Sequence, residues 1–315
     1  MTEGLDRRTV VAGAVGVTLA ASAGAQDAAT GATTMWPPAE SFTLWPAGRI
    51  PNAPRRLPAA VSTVSGDPPR RELHLTGVAD PVVGVYRPAR PDGRALLAIP
   101  GGGYQFISIE NEGINVARTF APLGVTVFVL GYRLPGQGWL EPEDVPLQDG
   151  QRAMRLIRAG AARFGVDSAK IGCVGFSAGG LLAASLAVAW MDPVYARVDG
   201  ADELEAKPAF AGLIYPETSG ELMRVGKYPS ARFDASHRVD RNTSPVFIVH
   251  ALDDPVVPAA SPIAMMQACR EERVPVEAHF FQQGGHGFGP AYLPRALPGS
   301  RWPELFDLWM RGITR

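Results

Sequence analysis

The sequence predicts an α/β fold with a doubly wound, mostly parallel sheet carrying helices on both faces. Three observations lead there. From about residue 71 to the C-terminus, short β-rich runs alternate with helical segments. The central runs are continuously apolar without polar alternation, which is how a strand covered on both faces reads. One of them passes directly into a helix through a Gly-x-Ser-x-Gly turn. In chain order, strands are expected at 71–77, 81–88, 94–100, 125–133, 170–176, 209–216, 245–252 and 276–281. Helices are expected at 112–121, 148–164, 178–190, 259–272 and 303–312. The first two strands alternate better and are expected to form an antiparallel edge. The longest irregular stretches, 134–147, 191–208 and 217–244, are candidate cap loops.

The N-terminal region reads differently. Arg7-Arg8 precede an apolar stretch, Val10 to Ala25, that ends in the small residues Ala23-Gly24-Ala25 before Gln26-Asp27. This is the layout of a cleavable export signal over residues 1–25, and the paired arginines with a weakly hydrophobic core suit the twin-arginine route. The expectation is therefore an exported protein, periplasmic or secreted, without a stable membrane anchor. Residues 26–66 are rich in Pro, Ala, Thr and Ser and carry Trp36 and Trp45. They read as an ordered arm anchored by those two rings on a catalytic domain at 67–315.

Composition narrows the function. The 315 residues are 46% hydrophobic and 19% charged, enough apolar material for a sizeable core. A formal net charge of −1 speaks against nucleic acid as a partner. Two cysteines, Cys173 and Cys269, fall in an expected strand and helix and read as buried free thiols. Metal or other cofactor chemistry is not expected, since no His, Cys and carboxylate set has zinc-ligand spacing.

Four motifs carry chemistry. Gly175-Phe176-Ser177-Ala178-Gly179 fits a nucleophile elbow, in which small residues allow a sharp strand-to-helix turn that presents a Ser hydroxyl. Pro100-Gly101-Gly102-Gly103-Tyr104 follows a buried strand and can turn backbone N–H groups toward an oxyanion. The expected donors are the amides of Gly102, Gly103 and Ala178. A phosphate-binding loop is the competing reading, but the GK[ST] ending and the G-x-G-x-x-G spacing are missing. Asp253 and Asp254 follow the strand at 245–252. Asp254 is the expected catalytic acid and Asp253 a turn-shaping residue. Finally, His286 sits between glycines in GGHGFG (284–289), on a loop able to bring its ring to the Ser. His74, His250 and His279 lie within expected strands and His237 in a polar loop, so these four read as structural. The chain order Ser177, Asp254, His286 is the order that a strand–Ser–helix hydrolase uses.

Taken with FVLGYRLP (128–135), PLQDGQRAMRLIR (146–158) and LWPAGRIPNA (44–53), these motifs resemble the bacterial α/β-hydrolases known as acetyl xylan esterases and feruloyl-esterase-like, xylanase-associated proteins. The resemblance implies the α/β-hydrolase fold and a serine carbohydrate esterase that releases acetate or another short acyl group from plant polysaccharide fragments. Its nucleophile, acid and base map to Ser177, Asp254 and His286. One departure is Leu181, where many members carry His. Tyr104, Trp139, Phe176 and Tyr215 follow strand ends or the elbow and are candidates for stacking on a sugar or walling an acyl pocket, with core packing as the alternative. Glu112 reads as a helix-start residue. Other readings are a general short-chain esterase or peptidase on the same fold, and a catalytically silent member that binds carbohydrate or protein.

Overall fold

The computed structural model describes residues 35–66, 70–220 and 233–315. The export-signal expectation at 1–25, the start of the arm and part of the 217–244 loop lie outside the described residues. No helix among the described residues is long and apolar enough to cross a membrane.

Among the described residues, eight strands form the main sheet: β1 (Ser41–Thr43), β4 (Val82–Tyr86), β5 (Ala95–Ile99), β6 (Thr126–Gly131), β7 (Ile171–Phe176), β8 (Ala211–Ile214), β9 (Val246–Ala251) and β10 (Val276–Phe281). Their order across the sheet is β1-β4-β6-β5-β7-β8-β9-β10. β1 and β4 are antiparallel to their neighbours, and the strands from β6 to β10 run parallel. Every residue of β5, β6, β7, β8 and β9 is buried, as their unbroken apolar runs require. β10 closes the edge, and there the polar Glu277 and His279 alternate outward and bond each other at 2.8 Å.

The helices are α1 (Asn115–Phe120), α2 (Val145–Ala159), α3 (Ala161–Phe164), α4 (Ala178–Ala189), α5 (Ala260–Glu271) and α6 (Trp302–Ile313). Strand pleating shows that they cover both faces. A Cβ on Gly175 would run into Ala183 of α4, whereas one on Gly212 would lie 2.7 Å from the Phe306 ring of α6 and 3.1 Å from Val174. Val174 and Gly175 are consecutive, so they point to opposite faces, and α4 and α6 lie on opposite sides of the sheet. Phe120 of α1 packs edge-on against Phe306 with ring centroids 5.8 Å apart, placing α1 beside α6.

The expected antiparallel edge at 71–77 and 81–88 is built differently. β3 (Glu72–Thr76) pairs with β2 (Val61–Ser65) in a separate two-stranded ribbon, and β4 pairs with β1 and β6. Both unforeseen partners come from the Pro-rich segment. Their sequences, SFT and VSTVS, carry no apolar alternation, and β2 is exposed along its whole length. Backbone pairing with a neighbour defines these strands, and side-chain pattern does not.

The same segment is fastened by aromatic and charged groups. Trp36 lies over Gly84 and Gly131, where a Cβ on Gly84 would come within 2.9 Å of its ring. Trp45 is buried and donates from Nε1 to Asp149 Oδ1 at 2.8 Å. The guanidiniums of Arg133 and Arg152 sit 5.5 and 5.6 Å from its ring centre, and Arg152 Nε also donates to the Leu44 carbonyl at 2.9 Å. Arg133 and Asp149 form a fully buried ion pair at 2.7 Å. Trp45→Ala opens this site and is expected to cost about 3–5 kcal/mol. Urea unfolding reads it as a lower midpoint at unchanged slope.

Cys173 and Cys269 are free and buried, and burial pushes both thiols up, that of Cys269 to about 12.

Candidate active site

β7 delivers Ser177 through a turn that only small neighbours permit. Ser177 has φ 51° and ψ −117°, a conformation that costs a non-glycine residue about 1–3 kcal/mol and persists where surrounding packing holds it. A Cβ on Gly179 would collide with the carbonyl oxygen of Ile99, and one on Gly180 would come within 2.8 Å of Pro216. The Ser177 N–H donates to the Ile214 carbonyl at 3.0 Å, tying the turn to the end of β8. The helix that follows, α4, is apolar all round and buried apart from Ser185 and Val188, and its first residue is Ala178. Gly179→Ala is expected to lower stability by about 1–3 kcal/mol through overpacking, read as an earlier denaturant midpoint.

Asp254 and His286, the expected acid and base, leave the same end of neighbouring parallel strands. β9 and β10 run in register up to Ala251 and Phe281, and Leu252 N–H donates to the Phe281 carbonyl at 2.7 Å. The loop after β9 carries Asp254, the loop after β10 carries His286, and their side chains meet. His286 Nδ1 lies 2.7 Å from Asp254 Oδ2, and His286 Nε2 lies 2.9 Å from Ser177 Oγ. Asp254 Oδ1 accepts from the N–H groups of Val256 and Val257 at 2.8 and 2.9 Å. Burial of the Asp254 side chain, 1% exposed, raises its pKa. Hydrogen bonds from His286, Val257 and Val256 outweigh that, and the carboxyl ends below its ordinary value. The Asp253 side chain reaches across to the neighbouring loop: its Oδ1 accepts from Gly284 N and Gly285 N, both at 2.8 Å, and so fastens the glycine-rich loop that carries His286.

Of the other histidines, His250 approaches Asp254, its Nε2 lying 4.0 Å from Oδ2. His250 is buried under the acid loop with Nε2 on the Val257 carbonyl at 3.1 Å, and burial lowers its pKa. His74 stacks on Phe106 and bonds Glu72 at 3.0 Å.

Beside Ser177, the glycine loop turns back after β5. Gly102 is half-buried with φ +122°, a region that L side chains rarely adopt, and Gly103 is exposed at φ +60°. Ala178 opens α4, so its N–H is among the helix-start donors without an intrahelical acceptor. Gly101 N–H is already committed, donating to Glu112 Oε2 at 2.6 Å.

The four aromatic candidates for substrate contact are all buried. Phe176 packs between Tyr215 and Trp302, with both ring-centre distances 5.9 Å. Tyr104, 6% exposed, meets Tyr132 edge-on at 6.0 Å. Trp139, 4% exposed, covers the Arg133 guanidinium at 4.9 Å. Tyr215 is fully buried, with its ring 4.9 Å from that of His286. None offers a free face to a sugar ring; strand-end aromatics here fill the layer beneath the site. Among the described residues, no group of three or more His, Cys, Asp or Glu side chains is gathered to hold a metal ion.

Sequence reasoning passed over the environment of Glu112. It does stand at a helix start, in a π-helical turn at Glu110–Ile114, but its carboxylate points inward and is buried. Oε1 accepts from the Tyr215 hydroxyl at 2.7 Å, and burial above all raises its pKa to about 7. The available signal was the adjacent Gly113, where a Cβ would lie 2.5 Å from Val129. A helix pressed that closely on β6 carries its neighbouring acid inside.

Fold and site together define an α/β hydrolase. The chain belongs to the prolyl oligopeptidase family, whose model matches residues 131–296, more than half of its length. It is 32% identical over 203 residues to endo-1,4-beta-xylanase B of Butyrivibrio fibrisolvens, covering 61% of this chain and 32% of that protein. It is 28% identical over 225 residues to an acetylxylan esterase of Xylanibacter ruminicola, covering 65% and 43% respectively. The chain thus spans less than half the length of these curated relatives. Among solved structures, the acetyl ester-xyloside bifunctional hydrolase from Caldicellulosiruptor lactoaceticus superposes with a TM-score of 0.64 at 28% identity, covering 74% of this chain and 88% of that one.

Proposed function

We propose that this chain is a serine carboxylesterase that hydrolyses acetyl or other short acyl esters on plant cell-wall carbohydrate such as xylan fragments. The observation that carries the reading is the continuous hydrogen-bonded line from Asp254 through His286 to Ser177, with bonds of 2.7 and 2.9 Å. In the proposed reaction His286 Nε2 takes the Ser177 proton as Oγ attacks the ester carbonyl. The oxyanion is received by amides of Gly102, Gly103 and Ala178, each worth on the order of 3 kcal/mol. Collapse expels the alcohol, which takes the proton from His286. A water then attacks the acyl-enzyme by the same route, releasing the acid and restoring Ser177. The likeness to an acetylxylan esterase and to an acetyl ester-xyloside hydrolase supports a carbohydrate ester as substrate. Export through the N-terminal signal, with residues 26–66 as an arm of the catalytic domain, fits a polymeric substrate met outside the cell.

The match to the prolyl oligopeptidase family favours a second reading, a peptidase on the same residues. The test is protein from Gln26 onward assayed on p-nitrophenyl acetate, butyrate and octanoate, acetylated xylo-oligosaccharide and a peptide p-nitroanilide. The expected outcome is preference for acetate and release of acetate from the oligosaccharide. Cleavage of the anilide with negligible ester turnover would replace the esterase reading with the second one. Binding of the oligosaccharide without turnover of any substrate would leave a silent binding protein.

A further inference from the structure

Three catalytic loops leave the sheet at separate strands, and something has to hold them in one frame. The glycine loop follows β5, Ser177 follows β7 and the His286 loop follows β10. Ser177 is joined to its two partners by a single hydrogen bond to His286 and by close packing, since a Cβ on Gly101 would lie 3.0 Å from the Ser177 Cβ. Behind them runs a second, buried line of hydrogen bonds. Gly101 N–H donates to Glu112 Oε2 at 2.6 Å, and the Tyr215 hydroxyl donates to Glu112 Oε1 at 2.7 Å. The Tyr215 oxygen in turn accepts from Gly289 N–H at 2.9 Å, three residues past His286. The Tyr215 ring lies against the His286 ring along the way. The preceding residue grips the same loop directly: Asn111 Nδ2 donates to the Gly287 carbonyl at 3.0 Å. A π-helical turn is what aims two consecutive side chains at the site, and such widened turns recur at functional positions.

Building on the esterase reading above, we propose that Glu112 is a positioning residue, whose carboxylate bridges the glycine loop and, through Tyr215, the His286 loop, so that oxyanion donors and general base keep a fixed separation. A fully buried carboxylate is costly to maintain where structure alone is at stake, because it must be desolvated. Here both oxygens accept from donors that face it. Protonation would turn one oxygen into a donor facing another donor and break the bridge. The titratable groups around Glu112 are Glu72 from β3, Tyr132 beyond β6, Tyr215 beyond β8 and His286 beyond β10. Burial foremost, with Glu72 adding to it, raises the Glu112 pKa to about 7. Protonation, and with it opening of the bridge, is therefore expected as pH falls through about 7.

The test uses Glu112→Gln, Tyr215→Phe, the double variant and Ser177→Ala, assayed on p-nitrophenyl acetate from pH 5 to 9, with thermal melts alongside. Gln preserves shape but presents an amide donor to one of the two donors. The expected result is a fall in kcat of about 100-fold at pH 8, the scale of a 1 Å misplacement, with KM changed less than about threefold. Tyr215→Phe cuts the same bridge at its other end, so the double variant should lose little more than either single one. The acid limb of the wild-type profile should also carry an ionisation near pH 7 that the Gln variant lacks. Wild-type kcat across the pH range in Glu112→Gln would overturn the positioning role and leave the esterase reading intact. So would losses in the two single variants that multiply in the double one or that track a lowered melting temperature. Wild-type turnover by Ser177→Ala would overturn both, because the bridge would then frame no catalytic pair.

Discussion

Ser177→Ala is expected to lower kcat/KM for p-nitrophenyl acetate by at least about 10⁴-fold while leaving the unfolding midpoint within about 0.5 kcal/mol of wild type. The change removes one oxygen from a residue 8% exposed, and that oxygen lies 2.9 Å from His286 Nε2. The backbone bonds that hold the turn remain, including Ser177 N–H to Ile214 and Leu181 N–H to the Ser177 carbonyl. Loss of activity therefore cannot be assigned to loss of fold. Some rate above the uncatalysed reaction should survive, since the amides of Gly102, Gly103 and Ala178 would still stabilise an oxyanion formed by direct attack of water. Parallel kinetics and urea denaturation on the two proteins check both halves of the expectation.

Asp254→Asn should cost nearly as much, about 10⁴-fold in kcat, through the tautomer of His286. Asp254 Oδ1 accepts two backbone N–H groups, from Val256 and Val257. An Asn at this position will keep its carbonyl oxygen there, which leaves its NH₂ facing His286 Nδ1. The imidazole must then accept at Nδ1 and carry its proton on Nε2, where Ser177 needs a base. Asp253→Asn provides the contrast. Its Oδ1 serves Gly284 and Gly285, and an Asn oxygen can accept the same two bonds, so the expected loss is below about tenfold. Steady-state kinetics on the pair decides which of the two neighbouring acids orients the base. Equal losses in both would remove the assignment of that role to Asp254.

Glu112 adds a pH dependence of stability opposite to that of Asp254. Its folded pKa is raised from 4.5 to about 7, so the native state binds protons more tightly than the unfolded chain does. The stability this contributes is full below pH 4.5 and is lost as pH rises through about 7. For Asp254, whose folded pKa is lowered from 3.8, stability is present above pH 3.8 and is lost as pH falls through the lower folded value. Glu112→Gln should therefore flatten the decline in melting temperature between pH 4.5 and 7, a change that kinetic measurements alone would not reveal.

What was legible in the sequence follows from where side-chain pattern decides structure. The strands from β5 to β9 lie inside a two-sided sandwich, so they announce themselves as unbroken apolar runs, and the turns after them inherit their positions. Ser177 and Asp254 each stand at such a turn, and His286 sits between glycines after the edge strand β10, which is why their residue types and order could be read before their distances were known. β1 and β2 could not be read this way. SFT and VSTVS owe their strand form to hydrogen bonds with β4 and β3, which leave no imprint on side-chain choice. The aromatics were left between substrate contact and core packing for a related reason. A ring at a strand end can face outward to substrate or inward to the layer below, and sequence spacing does not distinguish the two; Phe176 and Tyr215 face inward. Glu112 was hidden because its inward aim depends on the π-helical turn and on the close approach of Gly113 to Val129, neither of which is a pattern of composition.

The most direct measurement of the central claim is peptide mapping after reaction with a fluorophosphonate, performed on wild type and on Ser177→Ala. The expected result is one adduct per chain, located on the peptide that contains Ser177 and missing from the variant. An adduct on another residue, or equal labelling of both proteins, would contradict Ser177 as the nucleophile and with it the acyl-enzyme mechanism.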